Sequence, residues 1–384
     1  MRNQNLLYGT LIIYFNKITL MNWLRKIGYL SAFIIPALTI SSFYVGGIAN
    51  LSTLLFVYLL IPLIDRITGR DLSNVPKSSV NSVANDFYYR FVTYCWTYFQ
   101  LAFIIWAAWA VTTHSLSLFE WIVFTIAVSL STGGIGITVA HELGHKKSSL
   151  ERFYSKVLLM TVSYMHFYIE HNKGHHVRVS TPEDPATSRE NESFYAFWWR
   201  SVTKGYRSAW EIENRRLERK GISRWSLHNN MIWFTLLPFL FAGALSAGIS
   251  LYLGYFVWQP ALFFFTQSFF AFSLLEAVNY VEHYGLMRKK VDENRYEQVA
   301  PHHSWNASQI VSNFFLFQLQ RHSDHHFNAI KRYQVLDHYD EAPQLPAGYP
   351  TMILMAHLPA LWFKVMNPKL AQWNEKSESE GLVG

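Results

Sequence analysis

Residues 118–147 read LFEWIVFTIAVSLSTGGIGITVAHELGHKK. Positions 118–140 hold one charged residue, Glu120, and the run closes on His141 and His145, four residues apart. Crossing a bilayer takes about 20 apolar residues of helix. The stretch therefore predicts a membrane span that carries a pair of metal-binding side chains to its end.

The same pattern extends outward. No Lys or Arg occurs from Ile27 to Asp65, from Phe91 to His145 or from Trp225 to Met287, and each stretch has room for two spans. Six helices are expected at about 28–46, 50–65, 92–113, 118–140, 232–253 and 259–281, paired as three hairpins. The second is the shortest. Of the 384 residues 51% are hydrophobic and 15% charged, against roughly 25% charged in an average soluble domain. That balance excludes a disordered chain, a coiled coil and a small disulfide scaffold. A single cysteine, Cys95, excludes a disulfide framework and a four-cysteine metal site.

The formal charge of +7 does not point to nucleic acid, because its position explains it. The basic residues lie at Arg25-Lys26, in the 66–90 link, in 146–224 and in 288–384, all on one side of a six-span chain. The positive-inside rule makes that side the cytoplasm, with both termini there. An apolar run from Leu6 to Phe15 lacks a preceding basic cluster and a small-residue cleavage site, so it does not read as a signal peptide. Met21, ahead of Arg25-Lys26, reads as the more natural start. The chain is expected to be one integral membrane catalytic domain, with cytosolic segments at about 141–230 and 282–384.

Nine of the sixteen histidines fall in four groups: His141 and His145; His171, His175 and His176; His283; and His322, His325 and His326. On an α-helix, residues four apart lie about 40° apart round the axis and residues three apart about 60°. His141 can thus share an ion with His145, His171 with His175, and His322 with His325 and His326. The adjacent pair His175 and His176 diverges by about 100° and can serve two neighbouring ions. Nine imidazoles overfill one four-coordinate zinc, whereas two ions with four or five ligands each use them up. Neutral imidazole suits Zn, Cu, Fe and Ni alike, so ligand type leaves the metal open. The acids beside these groups, Glu142, Glu170, Asp184, Glu282 and Asp324, are expected mainly to hold the second ring nitrogens of the ligands. His302-His303 and the other five histidines lack ligand spacing and stay outside the set.

HELGHKK (141–147), EHNKGHH (170–176), TPEDPATSR (181–189), NYVEHYGL (279–286), PHHSWN (301–306), LQRHSDHHF (319–327) and LPAGYP (345–350) together resemble the membrane-bound alkane monooxygenases, the alkane ω-hydroxylase family. The resemblance covers about 29–368. It implies a bacterial inner-membrane enzyme with two iron ions held by the nine histidines. It also implies O2-dependent hydroxylation of the terminal carbon of medium- to long-chain n-alkanes, with electrons from rubredoxin reduced by an NADH-dependent reductase. With one cysteine and an end at Gly384, no fused rubredoxin is expected. The matching position for a chain-length limit on span two is Val57, a small residue in the substrate channel. Phe103, Trp106, Trp109, Phe264, Phe265, Phe269, Phe270 and Phe272 are expected to line that channel. Arg200, Lys204, Arg207, Arg215, Arg216, Arg219, Lys220 and Arg224 form a candidate surface for an acidic electron donor. Three rival readings share parts of the pattern. A membrane zinc peptidase would use HELGH as HExxH, a fatty-acyl desaturase or hydroxylase would use similar histidine boxes, and a metal transporter would place ligands along its spans.

Overall fold

The computed structural model describes residues 23, 25–293 and 295–379. Met21 and the run Leu6–Phe15 lie outside them. Among the described residues, six helices are long and apolar enough to cross a membrane: Arg25–Val45, Gly47–Thr68, Val80–Thr113, Leu118–Gly144, Asn230–Leu253 and Gln259–His283. All six expected spans are present, and leucines and phenylalanines such as Leu59, Leu63, Phe239, Leu240 and Leu251 stand exposed on their outer faces. The second span is longer than expected. The main helix of the third starts at Phe87 rather than 92, because the Asp86 side chain caps it by accepting the Tyr88 N–H at 3.0 Å.

Local chemistry sets the ends. Ser117 and Glu120 form a capping box at the start of span four. Glu120 also accepts the Gly47 N–H at 2.6 Å, tying the first hairpin's turn to the second's. That turn is possible because Gly46 and Gly47 both take positive φ, 77° and 55°. At the other end of the bundle the charged segments meet. Arg25 pairs with Asp71 at 3.2 Å, Lys26 pairs with Asp86, and Arg321 donates to the Asp71 and Ser73 carbonyls at 2.8 and 3.2 Å. The N-terminal arm, the 66–90 link and the C-terminal segment therefore share one side, as the charge partition required.

Span four is the central helix and the most buried of the six. Its segment Leu130–Ile137 is a π-helix, a widened turn that recurs at functional sites. There Gly133 meets span six at backbone distance: a Cβ on it would lie 2.6 Å from the Ala271 Cα and carbonyl oxygen. Small residues at such crossings let membrane helices pack by close contact. The rest of the chain wraps the charged end. Helix Phe194–Glu218 lies on span six, with Phe197 against Tyr280 and the Trp198 indole donating to Ser273 at 3.0 Å. Helix Tyr349–Ala356 packs on span six as well. The buried Asp65, at the end of span two, accepts the Val311 and Ser312 N–H groups at 2.8 and 3.1 Å and so caps Ile310–Phe315.

Gly133→Ala should overpack the crossing of spans four and six and cost about 1–3 kcal/mol, read as a lower thermal midpoint of the detergent-solubilised protein. Gly134→Ala, whose Cβ would meet only the Leu274 side chain at 3.4 Å, should leave the midpoint close to wild type.

Candidate metal centre

The nine histidines converge in two groups. His141, His145, His171, His176 and His325 form the first, and His175, His283, His322 and His326 the second; within each, the nearest ring nitrogens all lie within 4.8 Å of one another. Spans four and six deliver His141 and His283, and short helical turns deliver the rest. His171–His175 is a π-turn, and this reassigns the expected pairing. With five residues per hydrogen-bonded loop rather than four, His171 falls beside His176, their Nε2 atoms 3.0 Å apart. His175 turns to the second group and His326. On His322–Phe327 the i,i+4 pair His322 and His326 stays together, while His325 points to the first group.

The Nε2 contacts test whether a cation fits. His145–His171, His171–His176 and His176–His325 lie at 3.1, 3.0 and 3.1 Å, and His175–His326 and His283–His322 at 3.2 Å. One Nε2 carries either a proton or an in-plane lone pair. His171 and His176, each facing two others, cannot satisfy both by hydrogen bonding. Ligands about 2.1–2.2 Å from a metal and at right angles to each other lie about 3.0–3.1 Å apart. The donor sets of five and four therefore each fit a metal ion. Burial, followed by neighbouring imidazoles, holds His145, His171, His176, His322, His325 and His326 well below the ordinary histidine range. They are neutral, as ligands must be.

The five acids play different parts. Asp184 touches a candidate ligand: its Oδ2 accepts from His175 Nδ1 at 2.8 Å and from the Thr187 hydroxyl at 2.6 Å. Burial alone would raise Asp184, but the His175 ring outweighs it and keeps the carboxyl ionised. Burial likewise opposes protonation of His175, and Asp184 outweighs it. Glu282 is closer to the centre than an outer support, its Oε2 3.1 Å from His322 Nε2 and its Oε1 accepting from Tyr349 at 2.7 Å. The other three carboxylates hold no imidazole in the contacts seen. Glu142 pairs with the buried Lys146 at 3.0 Å. Glu170 binds Arg178 at 2.8 Å and is pushed up to about 7 by burial. Asp324 takes Lys331, the Asp337 N–H and the Tyr339 hydroxyl. Each organises a loop around the site. A third convergence, Glu297, His302 and His303, is a hydrogen-bonded support. His303 Nδ1 accepts the Ala300 N–H, so Nε2 carries the proton that faces Glu297 at 3.1 Å.

An apolar cavity runs from Ile35, Val57 and Ile61 past Gly133, Leu275 and Phe315 to His141, His171, Glu282 and His322, and so reaches both histidine groups. Val57 lies on its wall. The eight expected aromatic residues do not. Phe103, Trp106, Trp109, Phe264 and Phe265 pack in a separate core near the opposite ends of spans three and six. Phe269 is exposed and contacts Phe270, and Phe272 stacks on Tyr164 at 4.8 Å. Aliphatic side chains and glycines line the cavity instead, because its wall on span six is the 274–282 stretch next to the histidines. Tyr349 lies in the matched string LPAGYP but carried no spacing signal of its own.

Asp184→Asn should release His175 and lower metal occupancy or activity by about 10–100-fold, checked by metal content per chain. Glu142→Gln, which touches no imidazole, should keep its metal.

Residues 115–355 match the Fatty acid desaturase family. The chain is 44% identical over 318 residues to Alkane 1-monooxygenase 2 of Pseudomonas aeruginosa, covering 82% of each protein. It is 39% identical over 361 residues, 92% of each, to Alkane 1-monooxygenase 2 of Alcanivorax borkumensis. A more distant similarity, 29% over 248 residues, links 64% of the chain to 63% of the Xylene/toluene monooxygenase hydroxylase component XylM of Pseudomonas putida. With six membrane-length helices, two convergent histidine groups and relatives of this identity and coverage, the chain belongs to the alkane 1-monooxygenase family, a multi-pass membrane branch of the Fatty acid desaturase family.

Proposed function

We propose that this protein hydroxylates the terminal carbon of medium- to long-chain n-alkanes, using O2, two iron ions held by the nine histidines, and electrons from rubredoxin. The observation that carries the reading is the cavity: apolar along its length, and closed by imidazoles of both groups. An n-alkane offers neither charge nor a hydrogen-bonding group, so burial alone can hold it, at about 0.8 kcal/mol per methylene. A narrow slot between spans one, two, four and six also forces the chain to enter end-on. That selects a terminal carbon by geometry rather than by bond strength.

The iron pair, when bound, supplies O2 activation and the oxidising power. The protein's share is order. Asp184 keeps a proton on His175 Nδ1 and leaves Nε2 for the ion. Tyr349 donates to Glu282, which fixes that carboxylate beside His322. The apolar walls exclude water, which keeps the reaction with the hydrocarbon.

The rivals lose ground on particular contacts. In a zinc peptidase Glu142 would be the general base, yet it is bound to Lys146 and does not line the cavity. In a transporter the ligands would mark a path through the spans, whereas these stand at one end. A fatty-acyl substrate would want a partner for its polar head, and the cavity wall carries few polar groups besides those at the histidine end. We place the histidine end at the cytosolic face of the bacterial inner membrane, by the positive-inside rule. The electron donor would meet exposed Lys204, Arg207, Arg215, Arg219, Lys220 and Arg224. Arg200 and Arg216 are committed to Glu192 and Glu213 and belong less to that surface.

Purified protein should contain iron and form 1-alkanol from n-alkane with NADH, rubredoxin and its reductase; stoichiometric zinc with no alkanol would refute the proposal. Val57→Trp should lower hexadecane turnover by about tenfold or more relative to octane, since a bulky ring would shorten the slot. Turnover with rubredoxin should fall as ionic strength rises.

A further inference from the structure

Alkane hydroxylation consumes protons: RH + O2 + 2 e− + 2 H+ gives ROH + H2O. The apolar cavity cannot deliver them. On its far side, however, the structure holds a small chamber bounded by the polar side chains of Tyr164, His166, Glu170, Ser201, Glu276 and Asn279 and by Phe167, Pro185 and Ala186, with His171 and His175 on its wall. Asn279 and His171 also line the apolar cavity, so the two spaces share a partition. Tyr164 and His166 also line a more open groove, with Thr203, Tyr206, Arg207 and Thr235 on its polar side and Phe234, Pro238, Phe239 and Phe272 on its membrane-facing side. Three spaces thus adjoin in series: groove, chamber, reaction cavity.

Glu276 stands in the middle space. It is a carboxyl group in the sixth span, 2% exposed. Its Oε1 accepts the Tyr164 hydroxyl at 2.7 Å, and the Ser201 and Asn279 side chains also reach the carboxyl. An ionisable side chain buried inside a membrane span is costly to keep and marks a functional position. His166 is also buried, held down to about 3 by that burial, and so is neutral in the wall between groove and chamber. The titratable groups facing the chamber are Tyr164, His166, Glu170 with its Arg178 partner, His171 and His175.

We propose that Glu276, with Tyr164 and His166, forms a proton route from the groove to the metal centre, passing Asn279, and that Glu276 is its relay residue. In each turnover the Glu276 carboxyl gives a proton toward the partition at Asn279. It is reprotonated from the groove side through Tyr164 and His166, so that two such transfers match the two electrons supplied. The inference rests on the oxygenase reading given above.

The test is steady-state turnover of the iron-loaded enzyme with rubredoxin and its reductase, in H2O and in D2O, for wild type, Glu276→Gln and Glu276→Asp. Expected for Glu276→Gln are unchanged iron, kcat lowered by about tenfold or more, and an enlarged solvent isotope effect. Glu276→Asp should recover most of the rate. Unchanged rate and isotope effect in Glu276→Gln would overturn the proposal, as would a loss that Glu276→Asp does not repair. Should Glu276→Gln fail to fold, Tyr164→Phe takes its place with the same D2O readout: slower turnover with a larger isotope effect supports the route, and wild-type values overturn it. Wild-type protein that makes no alkanol refutes the substrate reading separately. The same variants are then compared in NADH-driven O2 reduction, where the route still requires the altered isotope effect.

Discussion

Imidazole nitrogens that face one another at 3.0–3.2 Å set the terms for the whole molecule. Without a cation between them their lone pairs are mismatched, and the site is buried where water cannot make up the difference. The surrounding structure serves to hold this arrangement against its own cost. Two long spans anchor one ligand each, and a π-turn splits three clustered histidines between two groups. Loops pinned by Glu142, Glu170 and Asp324 carry the remaining strands of chain past the site.

The membrane supplies the second constraint. A helix bundle in lipid gains little from apolar burial between helices and depends on close packing. The Gly133 contact with Ala271 brings spans four and six together where the cavity passes. The same stretch of span six shows two characters. Leu274, Leu275 and Val278 face the apolar slot, and Glu276 faces the chamber, with Asn279 shared between them. One helix thus turns an apolar row to the slot and a carboxyl to the chamber behind it. That division follows from the 100° step between successive residues.

The acids show how far spacing carries. Each of the five stands within a few residues of a histidine, and on that basis all five were plausible partners for imidazole nitrogens. Only Asp184 holds a distal nitrogen, and Glu282 reaches a ligand's inner nitrogen. Glu142, Glu170 and Asp324 found cations supplied from elsewhere: Lys146 within the same turn, Arg178 and Lys331 from neighbouring loops. A carboxylate buried near a metal takes the strongest donor within reach, and which donor is within reach depends on chain path. The aromatic residues of spans three and six fail as channel walls for a related reason. Their type suits an apolar slot, but most pack in a core at the other end of the bundle or on other faces of span six.

The sequence by itself determined the six spans, the charged side, the nine candidate ligands and their division into sets of about four and five. Those follow from hydropathy, from the bilayer's thickness and from the capacity of an ion, none of which needs a fold. Only the tertiary structure decided which histidine joins which group, because a π-turn shifts the register by one residue and no spacing rule for α-helices anticipates it. It also decided where the cavity runs, which acids touch ligands and where Glu276 points. Those depend on contacts between segments more than a hundred residues apart, such as Tyr164 with Glu276 and Asp65 with Val311, and long-range contacts are what local pattern cannot contain.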